Sequence, residues 1–210
     1  MKYLFFAAGL GLCAASGVSA ATIVNGSFED SGVQTGGFDT FSTGSTGITG
    51  WTVGSGTVDL VNQILWVAED GQQAVDLDGN NPGSIFQDVT DLIIGAEYRV
   101  SFYLSGNEAG NPTIKTLNVS AAGTIGLYSF DDSNGGAAAD VWELNTFDFV
   151  AGQTTERLLF ASTTGGTAFG PALDSVSIEL LAAVPLPAGG LLLIGGLAGL
   201  GALRRKRTQA

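Results

Sequence analysis

Apolar and polar residues alternate one by one along much of this chain, with no stretch holding a 3.6-residue period for ten residues. Between Glu97 and Leu104, Tyr98, Val100, Phe102 and Leu104 fall on one side and Arg99, Ser101 and Tyr103 on the other, which predicts a strand with one face in a core. Shorter runs of the same kind predict strands at 57–62, 73–77, 84–89, 114–121, 124–130, 146–150, 156–162 and 173–180. Glycine, asparagine and aspartate clusters at 78–83, 106–107, 131–136 and 165–166 supply the turns. Nine or ten strands of this length predict an all-β fold, a two-sheet antiparallel β-sandwich. The stretch Ser31 to Gly50, rich in Gly, Thr and Ser, reads either as a long loop or as a strand pair with wide connections.

Two apolar runs break this pattern, one at each end. Lys2, the apolar residues Tyr3 to Ala15 and the small residues Val18-Ser19-Ala20 form the three regions of a secretory signal peptide, assigned to residues 1–21 and expected as a helix before cleavage. At the other end, residues 188–203 carry no charge and are followed by Arg204, Arg205, Lys206 and Arg207. Sixteen helical residues reach roughly 24 Å, a little short of a bilayer's hydrocarbon core, and basic residues beyond such a span stay in the cytoplasm. The expectation is a transmembrane helix over 188–203 with everything upstream exported.

Composition then narrows the chemistry. The domain left between the two ends, 22–183, holds all 20 acidic residues but only Arg99, Lys115 and Arg157 among the basic ones, a net of −17. Such a surface repels nucleic acid and anionic lipid, and suits neutral polysaccharide, cations or a high-salt medium. The chain has no histidine, and its one cysteine, Cys13, lies in the signal region. Disulfides, Ser-His-Asp or Cys-His catalysis and His-ligated metals are therefore excluded from the mature domain. A metal there has to be a hard cation held by oxygen, which favours calcium.

Val184, Pro185, Leu186, Pro187 and Ala188, with the apolar run and the basic residues from Arg204 and Arg205 onward, resemble the VPLPA-type variant of the PEP-CTERM sorting signals of Gram-negative bacteria. The resemblance, over 184–210, implies recognition by an exosortase, a membrane transpeptidase. It further implies cleavage near Pro187, an inner-membrane precursor, transfer to the cell envelope or matrix, and association with exopolysaccharide.

A second resemblance covers the domain. The segment Asn25 to Glu29 (N-G-S-F-E), Gly50-Trp51, Asp76 to Asp78 (D-L-D), Ile85 to Gln87, the stretch from Gly95 through Tyr98 and Phe102 to Asn107, and Gly170 to Asp174 with Val176 are similar to the choice-of-anchor C family. That family resembles the galactose-binding-like jelly rolls, a superfamily rich in carbohydrate-binding modules. The resemblance implies a structural calcium held by Glu29 and Asp174 with main-chain carbonyls, the alternative being that Asp174 caps a turn and Glu29 is solvated.

Sugar binding wants an aromatic face beside amides and carboxylates. Trp51 reads as core. Trp66, ahead of Glu69-Asp70-Gly71, stands at a loop edge where exposure and burial are both open, as they are for Trp142, and Tyr103 lies on the polar face of its strand. Asp76, Asp78 and Asn80 resemble the start of a calcium loop without its closing glutamate, and read equally as turn residues or as contacts for a cation or sugar. Asn107 completes the candidate ligand set. Carboxylate pairs such as Glu69 with Asp76, or Asp140 with Glu143, keep glycoside hydrolysis as a minor alternative. No nucleophile elbow, phosphate loop or metal triad is present. The expectation is thus a non-enzymatic, envelope-anchored protein binding extracellular carbohydrate, with a structural matrix or adhesion protein as the alternative.

Overall fold

The computed structural model describes residues 20–32, 36–134, 141–166 and 168–182. Within them eleven strands form two antiparallel sheets. The strands are β1 (Phe38–Ser42), β2 (Thr52–Ser55), β3 (Thr57–Asn62), β4 (Gln73–Asp76), β5 (Ser84–Val89) and β6 (Glu97–Gly106), then β7 (Ile114–Ala121), β8 (Thr124–Asp131), β9 (Glu143–Val150), β10 (Glu156–Ser162) and β11 (Pro171–Ala182). One sheet has the order β1-β3-β4-β11-β6-β9 and the other β2-β5-β10-β7-β8. Most neighbours in each sheet are distant in sequence, as in a jelly roll.

The alternation read from the sequence is what separates core from surface. Tyr98, Val100, Phe102 and Leu104 of β6 are buried between the sheets, while Arg99, Ser101 and Tyr103 are only half-buried on the outer face. Trp51 sits at the centre, with its ring centroid 5.6 Å from Phe28 and 6.0 Å from Phe160. Phe102 meets Phe160 edge-on at 5.3 Å and Tyr128 at 5.1 Å. Offset and edge-to-face contacts of this kind add to the area each ring removes from water.

All nine expected strands are present, several longer than expected because pairing carries them past the apolar alternation. β9 starts at Glu143, since Glu143, Leu144 and Asn145 continue the ladder opposite Leu104, Tyr103 and Phe102. β1 lies inside the stretch read as a loop or strand pair, and β2 just beyond it; Gly and Ser around them mask their short alternation. Asp132–Asn134 forms a single 3-10 turn. Among the described residues no helix is long and apolar enough to cross a membrane. The signal and transmembrane helices, and the sorting residues Val184 to Ala188, Arg204 and Arg205, lie outside the described residues.

Candidate functional site

A cavity of about 490 Å³ opens on the outer face of the six-stranded sheet, and its walls come from β1, β3, β4 and the loops after β3, β4, β6 and β10. That size is in the range of small-ligand sites. Four of the five residues singled out from the sequence, Trp66, Asp76, Asn80 and Asn107, line it.

Strand geometry brings the carboxylates there. Val58 and Leu60 point into the core, so Asp59 between them faces outward; one strand over, Asp76 is its direct cross-strand partner. The Asp59 Oδ1 accepts a hydrogen bond from Thr40 Oγ1 at 2.6 Å on the neighbouring β1. Burial raises the pKa of Asp59, the Thr40 hydroxyl opposing the shift.

Asp76 is almost wholly buried at the cavity floor. Its Oδ1 accepts the backbone N–H of Asp78 at 2.8 Å and of Gly170 at 3.2 Å, and its Oδ2 accepts Asn107 Nδ2 at 2.7 Å. Burial pushes its pKa up to about 8 in spite of these donors, with the neighbouring Asp78 and Asp59 charges adding to the rise. Asn107 is itself fixed, its backbone N–H donating to Gly170 O and its Oδ1 accepting Ala109 N–H. Gly79 keeps the wall open: a Cβ there would stand 2.8 Å from Asp59 Oδ1. Asn80, exposed, is held by a 2.7 Å bond from its N–H to Thr57 Oγ1.

Two readings of the candidate set are corrected. Trp66 is only 8% exposed: a turn closed by its own and Leu65's N–H on Asn62 O packs it against Val61, Ala74 and Ala172. It walls the cavity rather than offering an open face. Trp142 packs beside that cluster and donates Nε1 to Val67 O at 3.0 Å. Asp78 is fully buried and does not line the cavity at all.

The sequence reading passed over Asp59, Phe38, Glu108 and Phe169, which also line the cavity. Phe38 is the exposed aromatic there, at 47%. A lone acid inside the apolar run Val58 to Val61 was the available signal for Asp59. Phe38 sat in the stretch whose strand character was left open.

Glu29 and Asp174 meet at a different place, the loop 69–73. Glu29 Oε1 accepts the N–H groups of Gln72 and Gln73 at 2.7 and 2.6 Å. Asp174 Oδ2 accepts those of Glu69 and Asp70 at 2.9 and 3.1 Å, and its Oδ1 accepts Ser175 N–H. Burial raises the Asp174 pKa to about 7 against these backbone donors. Asn25 and Phe28 take positive φ values of 52° and 61°, which swings Phe28 into the core and Glu29 toward the loop. Gly71, at φ 70°, lets Glu29 approach, since a Cβ there would meet its Cδ at 2.4 Å. The donor set is mainly backbone N–H, and among the described residues no group of three or more carboxylates lies where it could hold a metal. Glu69 belongs to this loop and does not line the cavity with Asp76; Asp140 lies outside the described residues.

The chain is similar to several solved structures. The arabinose-bound MgGH51 α-L-arabinofuranosidase matches 81% of this chain and 28% of its own, at 10% identity and a TM-score of 0.53. The CBM22-1 xylan-binding domain of Paenibacillus barcinonensis Xyn10C matches 80% of this chain and all of its own, at 16% identity and a TM-score of 0.46. A family 35 carbohydrate-binding module from Clostridium thermocellum matches 69% of this chain and 99% of its own, at 15% identity and a TM-score of 0.44. In sequence, the chain is 35% identical over 160 residues to halomucin of Haloquadratum walsbyi, which is 74% of this chain and 2% of that protein's length. Residues 21–179 match the family described as protein of unknown function DUF642, and the chain belongs to that family.

Proposed function

We propose that the domain is a non-catalytic module that binds a neutral extracellular carbohydrate in the cavity above the six-stranded sheet. The carrying observation is that an exposed aromatic ring, Phe38, shares one cavity with Asp59, Asp76, Asn80 and Asn107. An aromatic face beside fixed amide and carboxyl groups is the arrangement a sugar ring needs. Charge selects the neutral class. Each of the three described cations is already in an ion pair, Arg99 with Asp148, Arg157 with Asp88 and Lys115 with Asp132. The cavity walls carry no cationic side chain, so uronate or sulfate groups find no counter-charge there.

The termini support export, sorting of Val184 to Ala188 by an exosortase-type transpeptidase, and a place in the envelope or matrix, with choice-of-anchor C as the family-level reading. Calcium at Glu29 and Asp174 is part of the same proposal. Its oxygens would come from the lone pairs the loop N–H groups leave and from main-chain carbonyls. The alternative reading, a matrix or adhesion protein, is favoured by Ile125 and Leu127, exposed on one face of the edge strand β8.

The test is retention of the purified chain on immobilised neutral polysaccharides (xylan, galactan, arabinan, mannan and β-glucan) beside anionic ones (polygalacturonate and alginate). Saturable retention on a neutral glycan, lost in Phe38→Ala and Asn107→Ala, is the expected result. No retention on any glycan moves the function to the matrix reading, and preference for the anionic set overturns the neutral one.

A further inference from the structure

Apart from the residues that line the cavity, one ammonium and two carboxyl groups come together in the interior, all of them buried or nearly so. Lys115, the second residue of β7, is fully buried, with Nζ donating to Gly110 O at 2.7 Å and standing 3.2 Å from Asp132 Oδ2. That Asp132 oxygen is buried and makes no hydrogen bond of good geometry. Asp78 is buried as well, its carboxyl beside the Ser162 side chain, and it lies within electrostatic reach of Lys115. Gly106 makes the room: a Cβ there would stand 2.8 Å from Lys115 Cγ, 3.1 Å from the Phe130 ring and 3.5 Å from Asp132 Cβ.

An ion pair in such a place loses more hydration than its attraction returns, and buried charges tend to neutralise. The hairpin of β7 and β8 holds Lys115 opposite Phe130, two residues before Asp132, so the amine is kept in contact with the carboxyl group it would attack, 3.2 Å from its Oδ2.

We propose that Lys115 and Asp132 condense into an intramolecular amide cross-link, with Asp78 carrying the proton. The Lys115 ammonium gives a proton to the Asp132 carboxylate, leaving a neutral amine and a carboxylic acid. Nζ attacks Cγ, and the Nζ–Cγ bond forms. Asp78 takes the second amine proton and passes it to a hydroxyl on Cγ, which departs as water as the C–O bond breaks. One ammonium and one carboxylate become one amide and one water, and Asp78 returns to its starting form. Burial raises the Asp78 pKa to about 6, near enough to neutrality for it to give and take a proton.

The chain's own trypsin sites supply the test, because Arg99, Lys115 and Arg157 bracket the pair. The full chain is purified, denatured, digested and its peptides weighed. A cross-linked Lys115 resists cleavage, so residues 100–157 are expected as one piece, lighter than the sequence by one water, with fragmentation joining 115 to 132. Separate peptides 100–115 and 116–157 at their sequence masses overturn the proposal and leave a plain buried ion pair. Asp132→Asn is expected to form the same amide with loss of ammonia instead of water. Asp78→Asn is expected to yield the two separate peptides at their sequence masses; an undiminished cross-link in that variant overturns the role given to Asp78.

Discussion

The side-chain amide of Asn107 donates to Asp76 Oδ2 across 2.7 Å, tying the end of β6 to the end of β4 at the floor of the cavity. Its other atom, Oδ1, takes the N–H of Ala109, so one side chain fixes both the carboxyl and the loop that walls the site. Replacement by alanine leaves a buried carboxyl oxygen without its donor, a loss of about 1–3 kcal/mol in stability. Glycan retention is expected to fall at least tenfold in Asn107→Ala while circular dichroism keeps its β signature; unchanged retention would remove Asn107 from the site.

Gly79 gives a milder probe of the same wall. A Cβ at 79 would come 2.8 Å from Asp59 Oδ1 and 3.1 Å from Thr57 Oγ1, so alanine pushes the carboxylate away from Thr40. The nearest displaced atoms, Asp59 Oδ1 and Thr57 Oγ1, are side-chain ends that can give way, and the expected stability cost is small, at the low end of the roughly 0.5–3 kcal/mol of ordinary substitutions. Gly79→Ala should therefore weaken carbohydrate retention with a nearly unchanged melting temperature. A large drop in melting temperature would instead show that the glycine serves the fold.

Acid should stabilise this domain before it destabilises it. In the folded protein Asp76, Asp174 and Asp78 hold their protons up to about 8, 7 and 6, against an ordinary 3.8, because burial penalises the charged form. Folding therefore takes up protons on these groups. The stabilisation is fully present below 3.8 and is lost as pH rises through 6, 7 and 8. Asp88 and Asp148, held low by Arg157 and Arg99, and Asp131, held low by Ser133, have the opposite sign. Their contribution is present above 3.8 and is lost as pH falls below it. The melting temperature is expected to rise as pH is lowered from 8 toward 4 and to turn over below that. A melting temperature that is flat or climbs with pH over this range would show that the three buried carboxyls are not held protonated. Asp76→Asn should flatten the uppermost part of the curve.

The centre of the sandwich predicts a larger effect. Trp51 is fully buried against Phe28 and Phe160, and its Nε1 donates to Asn25 O at 3.0 Å. Trp51→Ala is expected to cost about 3–5 kcal/mol, read as a lowered denaturant midpoint. Because the same indole pins Asn25, the variant should also loosen the turn that delivers Glu29 to its loop. A midpoint within experimental error of the parent would contradict the packing described.

How much of this was legible in the sequence follows from which forces are local. The period-2 pattern of Tyr98 to Leu104 gives its strand directly, since burial of one face depends only on alternation. The pairing of β4 with β11, and hence the meeting of Asp76 with Gly170, depends on a strand order no local pattern encodes. Asp76, Asn80 and Asn107 were found because acids and amides near turns stand out. Phe38 and Asp59 were missed because each looks like ordinary alternation until β1 is laid beside β3. Trp66 stays open between exposure and burial for the converse reason: a loop-edge position says nothing of a neighbouring Ala172 brought from a hundred residues away.

Glu29 and Asp174 define the last prediction. Between them they accept the N–H groups of Glu69, Asp70, Gln72 and Gln73, so with or without an ion they order one loop. If calcium joins them it binds the native state alone and adds about 2.7 kcal/mol at a hundred-fold excess over Kd, several degrees in melting temperature for a domain of this size. The expected result is a calcium-dependent rise that magnesium does not match and that Glu29→Ala and Asp174→Ala abolish. Both variants should melt lower than the parent even in chelator, because each leaves loop N–H groups without their acceptor. A parent indifferent to calcium, with both variants still destabilised, would leave the pair as a clamp made of hydrogen bonds and take the ion out of the proposal; variants as stable as the parent would remove the clamp too.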